Sequence, residues 1–318
     1  MARRHYGQIG FADHFLRKRV SKREDKLERT LGLIDWRRLD RLLDPLSNSR
    51  RGAPGYPPLC LFKALLLAQW YDLSDPGLED ALADRLSFRK FTGIPLDEVT
   101  PDETTFVRFR NLLRAHGLAQ QLFDEVNRQL EGKGLMVKKG TLVDASIIEA
   151  SVRRPPVKEG EVSKVDPDAT FTSKHGKSYF GYKMHIGVDQ GSGLIRRLLT
   201  TTAALHDSLA FRGLICGDEG AAYGDKAYGS KAHREWLKEL GVKDCLMHKA
   251  ARNTPLKNWQ VWFNKAVSGP RAQVEQFFGI VKRSYGLARA RYRSQARNET
   301  HFLILATAYN LRRSLSLV

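Results

Sequence analysis

Two hydrophobic periods divide the chain. Up to about residue 130, apolar residues recur every three or four positions, the spacing of one helix face. Lys22–Leu43 reads as a single helix with Leu27, Leu31, Ile34, Leu39 and Leu42 on or near one side. Pro57–Tyr71 is an almost wholly apolar helix that follows the turn-rich run Arg50–Gly55. Ser74 opens a short helix. Asp102 is suited to cap Glu103–His116, where Phe106, Phe109, Leu112 and Leu113 form the apolar side and Arg108, Arg110 and Arg114 face outward. Gln120–Leu130 is a further helix, and the basic connector Gly132–Gly140 marks a boundary. A set of short helices with a basic face suits a DNA reader of helix-turn-helix type, or a packing module whose arginines only aid solubility.

From Thr141 the pattern shortens. TLVDASIIE over 141–149 reads as a strand with Asp144 inside it. Residues 151–178 show no periodicity and carry Arg153, Arg154, Lys158, Lys164, Lys174 and Lys177. Tyr179–Val188 and Leu194–Thr202 alternate as a hairpin turned by DQGSG. Helix Asp207–Cys216, strand Ala221–Asp225, helix Ser230–Leu240 and strand Val242–Met247 follow. Lys249–Ser268 reads as a surface loop with Trp259 and Trp262 packed inward, with stacking on a displaced base as the alternative. Gly269–Tyr285 reads as a helix with Pro270 in its first turn, and Thr300–Leu311 as a core helix. Antiparallel strands first, then strand alternating with helix, predict an α/β domain over 136–318. Its mixed sheet with flanking helices follows the order of the ribonuclease-H-like fold, behind an all-helical domain over 1–135.

Charge narrows the function. The 318 residues carry a net charge of +18, which points to a polyanionic partner. No apolar run approaches the ~20 residues of a spanning helix, and the N-terminus lacks a signal-peptide core, so a cytosolic protein without a membrane partner is expected. Cys60, Cys216 and Cys245 are far apart and show no C-x2-C pairing, which argues for buried thiols rather than zinc or disulfides.

Three acids carry the candidate chemistry. Asp144 lies in the first strand, Asp225 ends the second, and Glu275 sits on the Gly269–Tyr285 helix. On that helix Val274, Phe277, Phe278 and Val281 form the apolar stripe. At ~100° per residue, Arg271, Glu275 and Lys282 fall together at its edge. A partly buried carboxylate there needs a cation or a metal to stay ionised, although an Arg271–Glu275 pair alone is an ordinary feature of a solvated face. Asp189 reads as a turn residue and Asp207, after His206, as a helix cap. Tyr179, Tyr182, Lys183 and His185 form an aromatic and basic cluster suited to hold DNA, with core packing of the tyrosines as the alternative.

The order Asp, Asp, Glu resembles the DDE transposases of bacterial insertion sequences, in particular the IS-four/IS-five group. The resemblance spans nearly the whole chain. It is carried by LVDAS around Asp144, by Asp225-Lys226-Ala227-Tyr228, and by Arg271, Glu275 and Lys282 at R-x3-E-x6-K spacing. SYFGYKMHIGVD, TTTAALHDS and ARYRSQARNETHFLILATAYNL add to it. The Tyr that often stands three residues before the Arg is here Ser268. The resemblance implies a bacterial cytoplasmic, nucleoid-associated enzyme. Such an enzyme binds the terminal inverted repeats of its element, cuts there and joins the ends to target DNA. It implies two Mg²⁺ ions, replaceable by Mn²⁺, with Asp144 bridging both, Asp225 on one and Glu275 on the other. Arg271, Lys282, Lys174, Lys177, Tyr182, Lys183, Arg108 and Arg110 are the expected DNA contacts, and a homodimer on DNA is the expected assembly. A nuclease of the same fold that cuts without joining is the alternative enzyme. A DNA-binding regulator without catalysis is the alternative from another class.

Overall fold

The computed structural model describes residues 22–47, 55–152, 163–174, 176–251 and 253–318. The stretch before residue 22, most of the Arg50–Gly55 run, and Arg153, Arg154 and Lys158 lie outside the described residues. Contacts group the chain into two units: residues up to Lys133 together with Leu303–Val318, and Gly134–Phe302.

The first unit is helical. It comprises α1 (Lys22–Leu33), α2 (Trp36–Leu43), a 3-10 turn (Asp44–Ser47), α3 (Pro58–Trp70), α4 (Asp75–Asp84), α5 (Leu86–Thr92), α6 (Glu103–Ala115) and α7 (Leu118–Gly132). The single helix expected over Lys22–Leu43 is two. Asp35 interrupts it, because its carboxylate accepts the N–H of Arg37 at 3.1 Å and so caps a new helix. Ser74 caps α4 and Asp102 caps α6, as their side-chain chemistry predicts. α3 is buried along nearly its whole length. The end of the chain packs here as well: Trp70 donates its indole N–H to the carbonyl of Ala308 at 2.8 Å, and Asn310 donates to Asn127 at 2.7 Å. The residues after Leu303 thus belong with the helical unit rather than with the α/β domain expected over 136–318. No sequence period reveals which core an apolar helix joins.

The second unit is a mixed sheet with helices. Its strands are β1 (Thr141–Glu149), β2 (Thr170–Lys174), β3 (Lys177–Asp189), β4 (Ile195–Thr202), β5 (Ala221–Gly224) and β6 (Lys243–Leu246). Its helices are α8 (Asp207–Leu214), α9 (Lys231–Glu239), α10 (Asn258–Ser284) and the start of α11 (Gln295–Ser314). The sheet runs β2-β3-β1-β5-β6, with β4 also paired to β3. β1–β3 and β3–β4 are antiparallel, whereas β1–β5 and β5–β6 are parallel. This is the mixed sheet of a ribonuclease-H-like domain. β2 lies inside the stretch that showed no periodicity; its polar sequence TFTSK hides a short edge strand on the end of β3.

Two local expectations fail on α10. The polar stretch before Gly269 is helical, so Pro270 sits inside a 27-residue helix rather than near its start. Trp259 and Trp262 are 56% and 71% exposed instead of packed inward. Their spacing of three places both on one side of the helix.

Gly181 marks the point where β3 leaves β2 and takes up β4. A Cβ there would lie 2.3 Å from the carbonyl oxygen of Ile148 and 2.7 Å from the amide nitrogen of Ala150, both backbone atoms of or beside β1. Gly181→Ala is therefore expected to destabilise the protein by about 2 kcal/mol or more, read as a lower midpoint in urea unfolding.

Candidate active site

β1 is the central strand, with antiparallel β3 on one side and parallel β5 on the other. Across the parallel pair Thr141 faces Ala222 and Leu142 faces Tyr223. Each partner lies 81 residues on, and 81 residues also separate Asp144 from Asp225. Carrying the register forward therefore sets Asp225, the residue just past the end of β5, level with Asp144 on the neighbouring strand. Adjacent strands lie about 4.8 Å apart. The long stretch of chain between the acids is thus closed by the sheet.

Asp144 is held in an unusual state. Its side chain is 24% exposed, and burial pushes its carboxyl up to about 6. The N–H of Ala145, donated to Oδ1 at 2.8 Å, and the charge of Arg271 pull the other way. The nearby negative charge of Asp225 raises it again, and Lys174 lowers it. The Arg271 guanidinium lies 4.0 Å from Oδ2. Asp225 accepts the N–H of Ala227 at 2.8 Å, and its carbonyl accepts the N–H of Tyr228 at 3.1 Å, so a tight turn fixes it. Tyr228 then inserts into a core with Val143, Phe211 and Leu237.

α10 packs against β1 and β5. Val274, Phe277 and Val281 are its buried face, which leaves Arg271 half-buried and Glu275 exposed, one turn further on. Lys282 is half-buried as well. Burial lowers its pKa, the neighbouring charge of Lys174 lowers it further, and Glu149 opposes them. Arg271 and Lys174 thus act on Asp144, and Lys282 feels Lys174 and Glu149, the last residue of β1.

The other expected DNA contacts separate. Lys177 and Arg108 are exposed. Tyr182 is fully buried and its hydroxyl donates to Asp166 at 2.6 Å, so it is a core residue. Lys183 is 8% exposed, donates to the carbonyl of Leu205 at 2.6 Å and pairs with Asp207 at 2.9 Å. Arg110 forms a two-pronged ion pair with Asp75, and its side chain is 11% exposed. All three spend their polar groups inside the protein; the sequence shows the residue type but not the internal partner. His185, from the same cluster, is buried as well, with burial lowering its pKa to about 4. Asp189 is structural: it accepts from Val137, Lys138 and Ser192 at 2.6–2.9 Å. His206, not Asp207, caps α8, accepting the N–H of Ser208.

The chemistry of the paired acids fits a hard divalent cation. Two carboxylates stand side by side, and burial of one resists its ionisation. The positive charge at Asp144 is a guanidinium beyond hydrogen-bond distance. Carboxylate oxygens are the ligands such ions prefer. A second acidic group, Cys216, Asp218 and Glu219, places its ligand atoms within 4.8 Å of one another. Its charges are already met: Asp218 pairs with Lys138 and Arg196, and Glu219 accepts the N–H groups of Cys216 and Gly217.

Comparison with known proteins identifies the family. A family described as "Transposase DDE domain" matches residues 136–311, and one described as a transposase domain matches residues 14–112. Among solved structures, a piggyBac transposase synaptic complex with hairpin DNA is 9% identical. The match covers 89% of this chain and 71% of that one, with a TM-score of 0.44. A pre-cleavage Mos1 transpososome is 10% identical, covering 83% and 98% of the two chains, with a TM-score of 0.22. With the family match across more than half its length, this chain belongs to the DDE transposases, enzymes that cut and transfer DNA strands using divalent metal ions.

Proposed function

We propose that the protein is the transposase of a bacterial insertion sequence of the IS-four/IS-five group. It binds the inverted repeats at its element's ends and cuts there with Asp144, Asp225 and Glu275. The observation that supports the reading is the β1–β5 register, which carried forward would bring Asp225 level with Asp144, whose carboxylate has Arg271 4.0 Å away. Asp144 and Asp225 would hold Mg²⁺, and Glu275, on the helix that packs against both strands, would complete the set. Bound there, the ions supply Lewis-acid stabilisation of the attacking and leaving oxygens of a phosphodiester.

The chain's own residues do the rest. Arg271 neutralises Asp144 and offers a fork to a phosphate oxygen. Lys282 and Lys174 add positive charge where the scissile phosphate approaches. The turn at Asp225 fixes that carboxylate before substrate arrives, so little ordering is left to occur on binding. Trp259 and Trp262 expose faces suited to stacking on an unpaired base. In the helical unit Arg108 remains available for phosphates.

Replacing Asp144, Asp225 or Glu275 with Ala should abolish cleavage of an end-containing duplex in Mg²⁺ or Mn²⁺, while binding of that duplex changes only a few-fold. Cleavage retained by one variant would remove that residue from the site.

Asp144 also makes a metal-free prediction. Its folded pKa of about 6 exceeds the unfolded value of 3.8. The folded state therefore holds the proton more tightly, and ionisation costs stability as pH rises from about 4 to about 6. Asp144→Asn should raise stability by about 1–3 kcal/mol above pH 7, with the gain vanishing below pH 4. In thermal melts, Mn²⁺ should stabilise the parent protein more than this variant.

Two element ends must be held together for joint insertion, which favours a homodimer on DNA. Mass measurement on the complex with end DNA should give two protein chains per two ends. One chain per pair of ends would exclude the dimer.

A further inference from the structure

The segment between α10 and α11 is held far more firmly than a surface connection requires. Ser294 adopts a φ of +79°, a left-handed conformation that is unfavourable for a residue with a Cβ. Buried side chains hold it there. Asp166, fully buried, accepts the N–H of Ser294 at 3.1 Å on the same oxygen that takes the Tyr182 hydroxyl. Asn298, also fully buried, donates to the carbonyls of Tyr292 at 2.7 Å and Ser294 at 2.9 Å, and accepts the N–H of Tyr292 at 3.3 Å. Asp168 accepts the N–H of Gln295, whose side chain donates to the carbonyl of Thr200 in β4.

The held segment presents charge. In ARARYRSQAR, Arg289, Arg293 and Arg297 are exposed, and none has an ion-pair partner among the described residues. The other end is tied to the catalytic strand: the N–H of Ala290 donates to the carbonyl of Glu149 at 2.7 Å, and Glu149 and Arg289 form a parallel bridge. Glu149 ends β1, five residues past Asp144, and its charge is felt by Lys282, as is that of Lys174. A buried acid, a buried amide and a strained residue thus fix the backbone between exposed Arg293 and Arg297, while Arg289 lies beside the end of the strand that carries Asp144. Arginine's planar fork matches a phosphate, and on a fixed backbone only the side chain has freedom left to lose when it binds one.

We propose that Arg289, Arg293 and Arg297 form a preset binding surface for the backbone phosphates of double-stranded DNA, continuing the basic track of Lys174 and Lys282 away from the active site. The direction of that track rests on the assignment of Asp144 as a catalytic acid; phosphate binding by the arginines does not.

The test measures affinity of the full-length protein for a short random-sequence duplex, without divalent ions, over a range of salt concentrations. The triple variant Arg289→Gln, Arg293→Gln, Arg297→Gln should keep the parent's melting temperature and bind at least about ten-fold more weakly. Its slope of log affinity against log salt should be shallower by about 0.9 for each phosphate that the variant no longer neutralises. A matched variant, Lys231→Gln, Lys238→Gln, Lys243→Gln, removes equal charge from exposed positions on α9 and β6 and should bind nearly as the parent does. Parent-like affinity and slope in the arginine variant would overturn the proposal. So would an equal weakening in the lysine variant, since the effect would then be net charge alone. Because no cleavage is measured, failure of the Asp144 assignment would show separately, as retained cleavage by Asp144→Ala.

Discussion

The parallel pairing of β1 with β5 is the constraint on which the site depends. Its offset equals the spacing of Asp144 and Asp225, so the same hydrogen bonds that build the sheet bring two carboxylates level. Burial opposes the ionisation of Asp144: its carboxyl is pushed up to about 6, with a smaller push from the charge of Asp225, although an N–H and a guanidinium work against the shift. A one-residue slip would send one acid to the opposite face.

The elements around β1 sustain that register. β3 pairs with the full length of β1, and Gly181 lets the strands approach where any side chain would strike backbone. The turn at Asp225 ends in Tyr228, whose ring fills the core with Phe211 and Leu237, so packing behind the sheet fixes the carboxylate in front. α10 covers β1 and β5 with Val274, Phe277 and Val281 and brings Arg271 to 4.0 Å from Asp144. Hydrophobic burial on one side of the helix thus positions a cation on its edge.

Positive charge is sorted by whether it finds an internal partner. Lys183 and Arg110 spend their charge on Asp207 and Asp75. Arg108, Lys177, Arg289, Arg293 and Arg297 remain exposed. With a net charge of +18, only a part of the cations is placed to meet DNA. Asp166 joins the two groups, since it takes the hydroxyl of Tyr182 inside the core and the backbone of the arginine segment at the surface.

The sequence by itself determined the class of fold, the two strand acids, the Arg271–Glu275–Lys282 helix and most element positions. These are local: apolar period, capping by Ser74 and Asp102, and the spacing of a strand–turn box all lie within a few residues. Where a local signal was weak, the reading failed. Asp35 divides a helix through one side-chain hydrogen bond, β2 is a polar edge strand, and α10 runs on through Pro270 with its tryptophans outward. Only the tertiary structure decided which residues meet. It gave Tyr182, Lys183 and Arg110 internal partners and packed the last helix's second half with the helical unit. It also set Asp144 beside Asp225. Each of these is a pairing between residues distant in the chain, fixed by register and burial, and no pattern along the sequence encodes the partner.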